Sequence, residues 1–424
     1  MIGRLLLLGA TGDLAGRFLL PALGWLEAAG ELPADLQVVG AGAEDGDDES
    51  FRAAVAARWD SAAGDLPVPA RRALLGRLRY RRFDADDPAT VAGAVAAFTG
   101  DGPVAAYLAL PPALFPPTLR ALGAAPLPPG SRIAVEKPFG ADLASAVALN
   151  ALLAEVSGGD ESAVTRVDHF LGMSVVQGLL GRHRAGPGDG RHVRQVDVVW
   201  EETLGLEGRA DFYDRTGALR DVLQNHLFQV LVLLAMEVPA TDGEADVHAA
   251  RLDLLRALRV ADPVGGTRRA RYTAGSLAGT DHLADRIAVP DYVAEPGVVP
   301  GRGTETFAEV ELRVDTPRWA GTRFVLRTGK ALGTARKGVA VHPRTAAAPL
   351  WIPLEEPGDG VGQAPGELTA YCRVLTDVLT GGSVTSVSAA EAEQAWRVVA
   401  PVLGAWAAGT VPLLEYPAGS AGPA

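Results

Sequence analysis

Three short stretches hold side chains suited to proton and hydride chemistry: Lys137 in EKPFG (136–140), Asp168 and His169 in RVDHFLGM (166–173), and His226 in RDVLQNH (220–226). An aspartate that accepts from one imidazole nitrogen fixes the tautomer and leaves the other nitrogen free as a base. A lysine beside the reacting oxygen completes the charge balance. Together with a glycine turn near the N-terminus, the set fits removal of a proton from a sugar hydroxyl while hydride leaves the same carbon for a nicotinamide. His226 falls on the apolar stripe of Leu219, Val222, Leu223, Leu227, Val230 and Leu234. A histidine on such a stripe is more often a core residue, so its role as a base depends on whether it meets Asp168.

The elements that must position these groups begin with a strand over Arg4–Leu8, a tight turn at Gly9-Ala10-Thr11-Gly12, and a helix from Asp13 and Leu14 to Ala29. A second strand is expected over Leu36–Gly40. A glycine turn between a first strand and a helix can seat a pyrophosphate on the helix N-terminus. Gly9, Thr11, Gly12, Asp13 and Leu14 are therefore the expected cofactor-binding residues. Cofactor choice is made at the end of the second strand, where an arginine favours a 2′-phosphate and an acid holds the ribose hydroxyls. Here the chain reads Gly40-Ala41-Gly42-Ala43-Glu44-Asp45. NAD is expected over NADP, with Ala43 and Glu44 at the ribose.

Further strands over Ala105–Ala109 and Arg132–Val135, with a helix between them, continue the alternation. The expected first domain is an α/β Rossmann-type dinucleotide-binding domain over 1–160. The second, over 161–424, is expected to be α+β with a large, mostly antiparallel sheet that carries substrate binding and dimerisation. Its expected strands include Arg194–Trp200, Glu305–Val314 and Arg323–Arg327. A single helix is expected over Ala218–Met236, a loop over 353–365, and two helices toward the end.

Bulk properties narrow the function classes. The 424 residues suit two or three domains. A net charge of −12 argues against a nucleic-acid partner. The single Cys372 leaves no intramolecular disulfide, which suits a cytoplasmic protein. No apolar run reaches membrane-spanning length, and LFQVLVLLAM (227–236) reads as a buried helix segment. No metal is expected.

The chain resembles the glucose-6-phosphate dehydrogenase family. The resemblance rests on GATGDLA (9–15), EKPFG, RVDHFLG, EETLGLEGR (201–209), RDVLQNH, TETF (304–307), RWAGTRFVLRTGK (318–330) and YPAGSAGP (416–423), in order over nearly the whole chain. It implies that His226 takes the proton from the C1 hydroxyl, that Asp168 orients it, and that Lys137 bonds the sugar near O1. It also implies that Pro138 shapes the nicotinamide site, that Glu202 and Asp221 hold ring hydroxyls, and that Lys330 contacts the distal part of the sugar. The product would be a δ-lactone and a reduced nicotinamide, and a homodimer is implied.

The chain departs from the family where the 6-phosphate is held. His169 is kept, but the tyrosine after it is Phe170 and the lysine three residues on is Met173. The basic residue expected after GDLAxR is Phe18, and the one five past Lys330 is Ala335. Each lost charge-assisted contact removes about 1.5–3 kcal/mol, and about 1.4 kcal/mol is tenfold in affinity. A non-phosphorylated or modified hexose is therefore the expected substrate. The alternative is ordinary glucose 6-phosphate oxidation with the phosphate site rebuilt from Arg17, Arg182, Arg336 or Lys337. A non-catalytic regulatory relative is a second alternative.

Overall fold

The structure, a computed structural model, describes all residues except 63–65, 185–189, 242, 279–285, 355–363 and 365. Most of the expected loop over 353–365 and the side chain of Arg182 lie outside the described residues. The chain divides into two compact units. The first comprises Met1–Gly140, Ala144–Gln177 and Glu356–Ala392; the second comprises Ala141–Leu143, Gly178–Glu355 and Glu393–Ala424.

The first unit holds a parallel sheet of six described strands: β1 (Arg4–Leu8), β2 (Gln37–Gly42), β3 (Leu78–Arg82), β4 (Ala105–Leu108), β5 (Arg132–Glu136) and β6 (Val164–Val167), in the order β3-β2-β1-β4-β5-β6. Leu5 to Leu8 are all fully buried, as an unbroken apolar run requires when both faces of a strand are covered. The unit runs past residue 160 because β6 pairs with β5. A helix over Glu367–Thr380 also joins it, packing Tyr371, Val374, Leu375 and Val378 into one core with Leu19 and Leu23.

The second unit is built on an eight-stranded mixed sheet. Its described strands are β7 (Val193–Glu201), β8 (Leu258–Val260), β9 (Thr267–Thr273), β12 (Phe307–Val314), β13 (Arg323–Gly329), β14 (Arg336–Pro343), β15 (Leu350–Pro353) and β16 (Leu413–Pro417); β10 (Gly275–Ala278) and β11 (Arg286–Val289) form a separate pair. Most pairings are antiparallel, but β7 runs parallel to β13 and β9 parallel to β16. In β12 burial alternates with a period of two, the mark of a sheet with one covered face.

The single helix expected over Ala218–Met236 is two segments, one π-helical and one α-helical, following a helix that ends at Ala218. A helix over Ala210–Ala218 breaks at Gly217 (φ 72°), a π-helical segment spans Leu219–Leu227, and an α-helix continues over Phe228–Ala235.

Candidate active site

The carboxyl ends of parallel strands share one edge of the sheet, and the first unit places its functional groups there. At the end of β1, Gly9 has φ 88°, and a Cβ on it would lie 2.2 Å from the Ala109 carbonyl oxygen. Only glycine fits. The Gly12 N–H closes the turn on the Gly9 carbonyl at 3.0 Å. Thr11 is half-buried, while Gly12 and Asp13 are exposed where the next helical segment begins. This glycine turn at the start of a helix fits a dinucleotide pyrophosphate. The Thr11 hydroxyl donates to Glu44 at 2.7 Å, and this bond is the main cause of a lowered Glu44 pKa. Ala43 and Glu44 are exposed beyond β2. Arg58, which sequence reasoning missed, donates to the carbonyls of Thr11 (2.9 Å) and Gly12 (3.1 Å). Its distance from the turn in the chain left no signal.

Glu136 and Val167 are paired neighbours on β5 and β6, so Lys137 and Asp168 emerge side by side. The Lys137–Pro138 peptide is cis. Asp168 is fully buried, and its carboxylate accepts from the Phe170 N–H at 3.1 Å, capping a 3₁₀ turn over His169–Gly172. Glu136 beneath them is buried and accepts a hydrogen bond from the Tyr107 hydroxyl at 2.5 Å. Burial pushes its carboxyl up to about 7, with Tyr107 and Lys137 opposing the rise and Asp168 adding to it.

Phe170 and Met173 are buried, at 4% and 3% exposure. The His169 ring stacks on Tyr371 at 5.1 Å, with the Tyr371 hydroxyl 3.3 Å from Nδ1, and Tyr371 stacks in turn on Phe18 at 5.0 Å. A basic side chain does reach the stretch around Met173, from the helix over Glu367–Thr380. Arg373 donates to the Gly172 carbonyl at 2.5 Å and to the Ser174 hydroxyl at 3.0 Å. Tyr371 and Arg373 lie about two hundred residues away in sequence, so their partnership with this turn was invisible there.

The second unit assembles Glu202, Lys330 and Asp221 with Tyr213. Lys330 is buried, and its ammonium pairs with Glu202 at 2.7 Å and lies 5.3 Å from the centre of the Tyr213 ring. Its backbone is pinned: the Lys330 N–H donates to the Thr306 carbonyl (3.0 Å), and its carbonyl accepts from the Tyr416 hydroxyl (2.7 Å). Burial raises the Tyr213 phenol far above its usual range, and negative charge on Asp221, Glu305 and Glu202 adds to the effect. Asp221, Glu305 and Glu202 thus all lie near enough to act on one phenol.

His226 is buried at 4% exposure, within the π-helical segment. Its backbone N–H donates to Asn225 Oδ1 at 2.6 Å, and Asn225 Nδ2 donates to the Arg220 carbonyl at 3.0 Å. π-type bonding joins residues five apart, the separation of Asp221 and His226, and such segments recur at functional sites. Glu305 anchors the segment: the Leu219 N–H donates to its carboxylate at 3.0 Å and the Ala218 N–H to its carbonyl at 3.1 Å. Asp168 belongs to the first unit and His226 to the second.

Strand alternation separates the two basic candidates on β14. Arg336 pairs with Glu201 at 3.6 Å, and Arg327 pairs with the same carboxylate. Lys337 is in register with Trp200 and lies 4.6 Å over its ring. Successive side chains point to opposite faces, so Arg336 takes the Glu201 face and Lys337 the other. Arg17 is exposed and lies 3.4 Å from Asp13.

The family profile described as the glucose-6-phosphate dehydrogenase NAD binding domain matches residues 6–178, and that of the C-terminal domain matches 189–357 and 359–424. The chain is 34% identical to glucose-6-phosphate 1-dehydrogenase of Treponema pallidum, covering 99% of this chain and 92% of the relative. Identity to the enzyme of the same name from Gluconobacter oxydans is 33%, covering 98% and 93%. Among solved structures, a glucose-6-phosphate dehydrogenase in complex with glucose 6-phosphate superposes with a TM-score of 0.84 at 25% identity, covering 99% of this chain and 95% of that one. The Mycobacterium avium enzyme superposes at 0.82 with 30% identity, covering 100% and 95%. The chain belongs to the glucose-6-phosphate dehydrogenase family, whose members are NAD(P)-dependent oxidoreductases acting on a CH–OH donor.

Proposed function

We propose that the chain oxidises the C1 hydroxyl of glucose 6-phosphate to the δ-lactone. The observation that carries this reading is whole-length similarity to enzymes of that name, with Asp168, Lys137, His226, Glu202, Asp221 and Lys330 all present at their motif positions. It replaces the non-phosphorylated hexose expected from Phe170 and Met173, which the relatives do not support. The phosphate, in this reading, is held by His169 and by cations placed differently from the family pattern, with Lys337 the replacement for the base missing at Ala335. Arg336 is a weaker candidate because Glu201 already engages it.

In the reaction, His226 takes the hydroxyl proton and Asp168 holds its imidazole in the productive tautomer and offsets the charge that develops. Lys137 stabilises negative charge growing on O1. Glu202 and Asp221 accept from ring hydroxyls, and Lys330 fixes the distal sugar. Gly9, Thr11, Gly12, Asp13 and Leu14 would hold the dinucleotide, with Pro138 beside the nicotinamide; when bound, it supplies the hydride acceptor. Glu44, exposed and held by Thr11, favours NAD through the ribose hydroxyls. The setting is a cytoplasmic homodimer.

The test is absorbance of the reduced nicotinamide, with glucose 6-phosphate, glucose and amino or deoxy hexoses, each with NAD and NADP. Turnover of glucose 6-phosphate in preference to the others is expected. Turnover of an unphosphorylated sugar alone would refute the phosphate reading and assign the Phe170 and Met173 surface to a different hexose.

A further inference from the structure

Away from these groups, the second unit has a polar cleft of about 390 Å³, within the size range of small-ligand sites. Four arginines line it: Arg215, Arg220, Arg269 and Arg302. The two acids of the cleft are already engaged. Asp214 is buried and accepts from Arg302 (2.5 Å), the Tyr292 hydroxyl (2.8 Å) and the Val299 N–H (3.0 Å). Glu305 is buried and accepts from the Leu219 N–H.

The other three arginines have no carboxylate in ion-pair range among the described residues. Arg269 donates Nε and Nη2 to the Val411 carbonyl at 3.1 and 2.9 Å. Arg220 donates Nε to the Ala141 carbonyl at 3.1 Å and Nη1 to the Thr216 carbonyl at 3.5 Å. These neutral acceptors hold the guanidinium groups in place without cancelling their charge. Arg215 is exposed at the rim. Trp406 forms an apolar wall, with the Arg269 guanidinium 5.7 Å from its ring centre. Partly desolvated guanidinium groups lining one cleft suit the several oxygens of a phosphate group, which they can bind bidentately.

We propose that this cleft is an effector site for a small phosphate-bearing anion, separate from the residues that act on the sugar. The route to the reacting groups is short. Glu305 in the cleft floor anchors Leu219, the first residue of the π-helical segment that carries Asp221 and His226. Arg220 and Arg269 both act electrostatically on that carboxylate. An anion drawing these cations toward itself changes the field at the anchor, and so the seating of the segment.

The experiment is calorimetric titration of the full chain with inorganic pyrophosphate and with ATP, the glycine turn first saturated with reduced dinucleotide. One further saturable site is expected, weakened at least tenfold by Arg215→Glu, a rim substitution that leaves turnover without added anion unchanged. Equal affinity for both probes means that the phosphates alone are read; tighter ATP binding means that the base also seats against the Trp406 wall. Amide hydrogen exchange at Leu219 should change on occupancy in the wild type and not in Arg215→Glu. No saturable binding of either probe, or binding unaffected by both Arg215→Glu and Arg269→Gln, overturns the site. Binding with no change at Leu219 overturns the effector role.

Discussion

Replacing Glu136 by glutamine tests whether this buried carboxyl is held protonated near neutrality. The groups facing it are the Tyr107 hydroxyl at 2.5 Å, Lys137, Asp168 and Tyr371. Burial is the largest influence and raises the carboxyl from 4.5 to about 7. A raised pKa means that the folded state binds the proton more tightly than the unfolded one. The associated stability is fully present below 4.5 and is lost as pH rises through about 7. At about 1.36 kcal/mol per pH unit, the wild type loses about 3 kcal/mol across that window. Glutamine keeps a hydrogen-bond acceptor for Tyr107 and never ionises. The variant should match the wild type near pH 5 and exceed it by about 3 kcal/mol above pH 8. For a unit of about 200 residues, that corresponds to a melting shift of roughly 6–12 °C. Thermal melts of both proteins at several pH values supply the comparison. A stability difference that stays constant from pH 5 to pH 8 would refute the reasoning, because only a titrating group makes it grow.

The other predictions concern the reaction. His226→Asn should lower kcat by about 10²–10⁴-fold with the circular dichroism unchanged; turnover within a few-fold of wild type would remove His226 as the base. Lys337→Ala should raise KM for glucose 6-phosphate about tenfold with kcat nearly constant, since one charge-assisted contact is lost. An unchanged KM would send the phosphate elsewhere, with Arg373 the next residue to vary. Glu44→Ala should lower kcat/KM for NAD about tenfold and leave NADP less affected; equal losses would show that Glu44 only braces Thr11.

The sequence disclosed features that depend on local covalent geometry. Gly9 is legible because a turn that close to the Ala109 carbonyl admits no Cβ, and β1 because an unbroken leucine run can be buried on both faces. Lys137 and Asp168 were legible as strand-end residues. The direction of β7 against β13 was not, because alternation says which face is covered and nothing about which way a neighbour runs. The π-helical segment was hidden too: its apolar stripe reads as an ordinary helix, and the widening coincides with an anchor on Glu305, over eighty residues later. Tyr213, Tyr371 and Arg373 carry no local signature, since their partners come from distant parts of the chain. The relatives favour glucose 6-phosphate over the unphosphorylated hexose; counting the bases missing at Phe18, Phe170, Met173 and Ala335 could not register Arg373, which reaches the Gly172 carbonyl and Ser174 from a helix two hundred residues on.

The helix over Glu367–Thr380, buried in the core of the first unit, also sets a timetable. A ribosome has made all six strands of the parallel sheet by Val167, yet Tyr371, Val374, Leu375 and Val378, which share their core, do not yet exist. Most of the second unit, Gly178–Glu355, is synthesised in between. At about 5–20 residues per second, the sheet waits roughly 10–40 s with part of its apolar surface uncovered. The nascent sheet is therefore a client for chaperones at that stage, and a chain interrupted before residue 367 would carry an unfilled core however complete its dinucleotide turn.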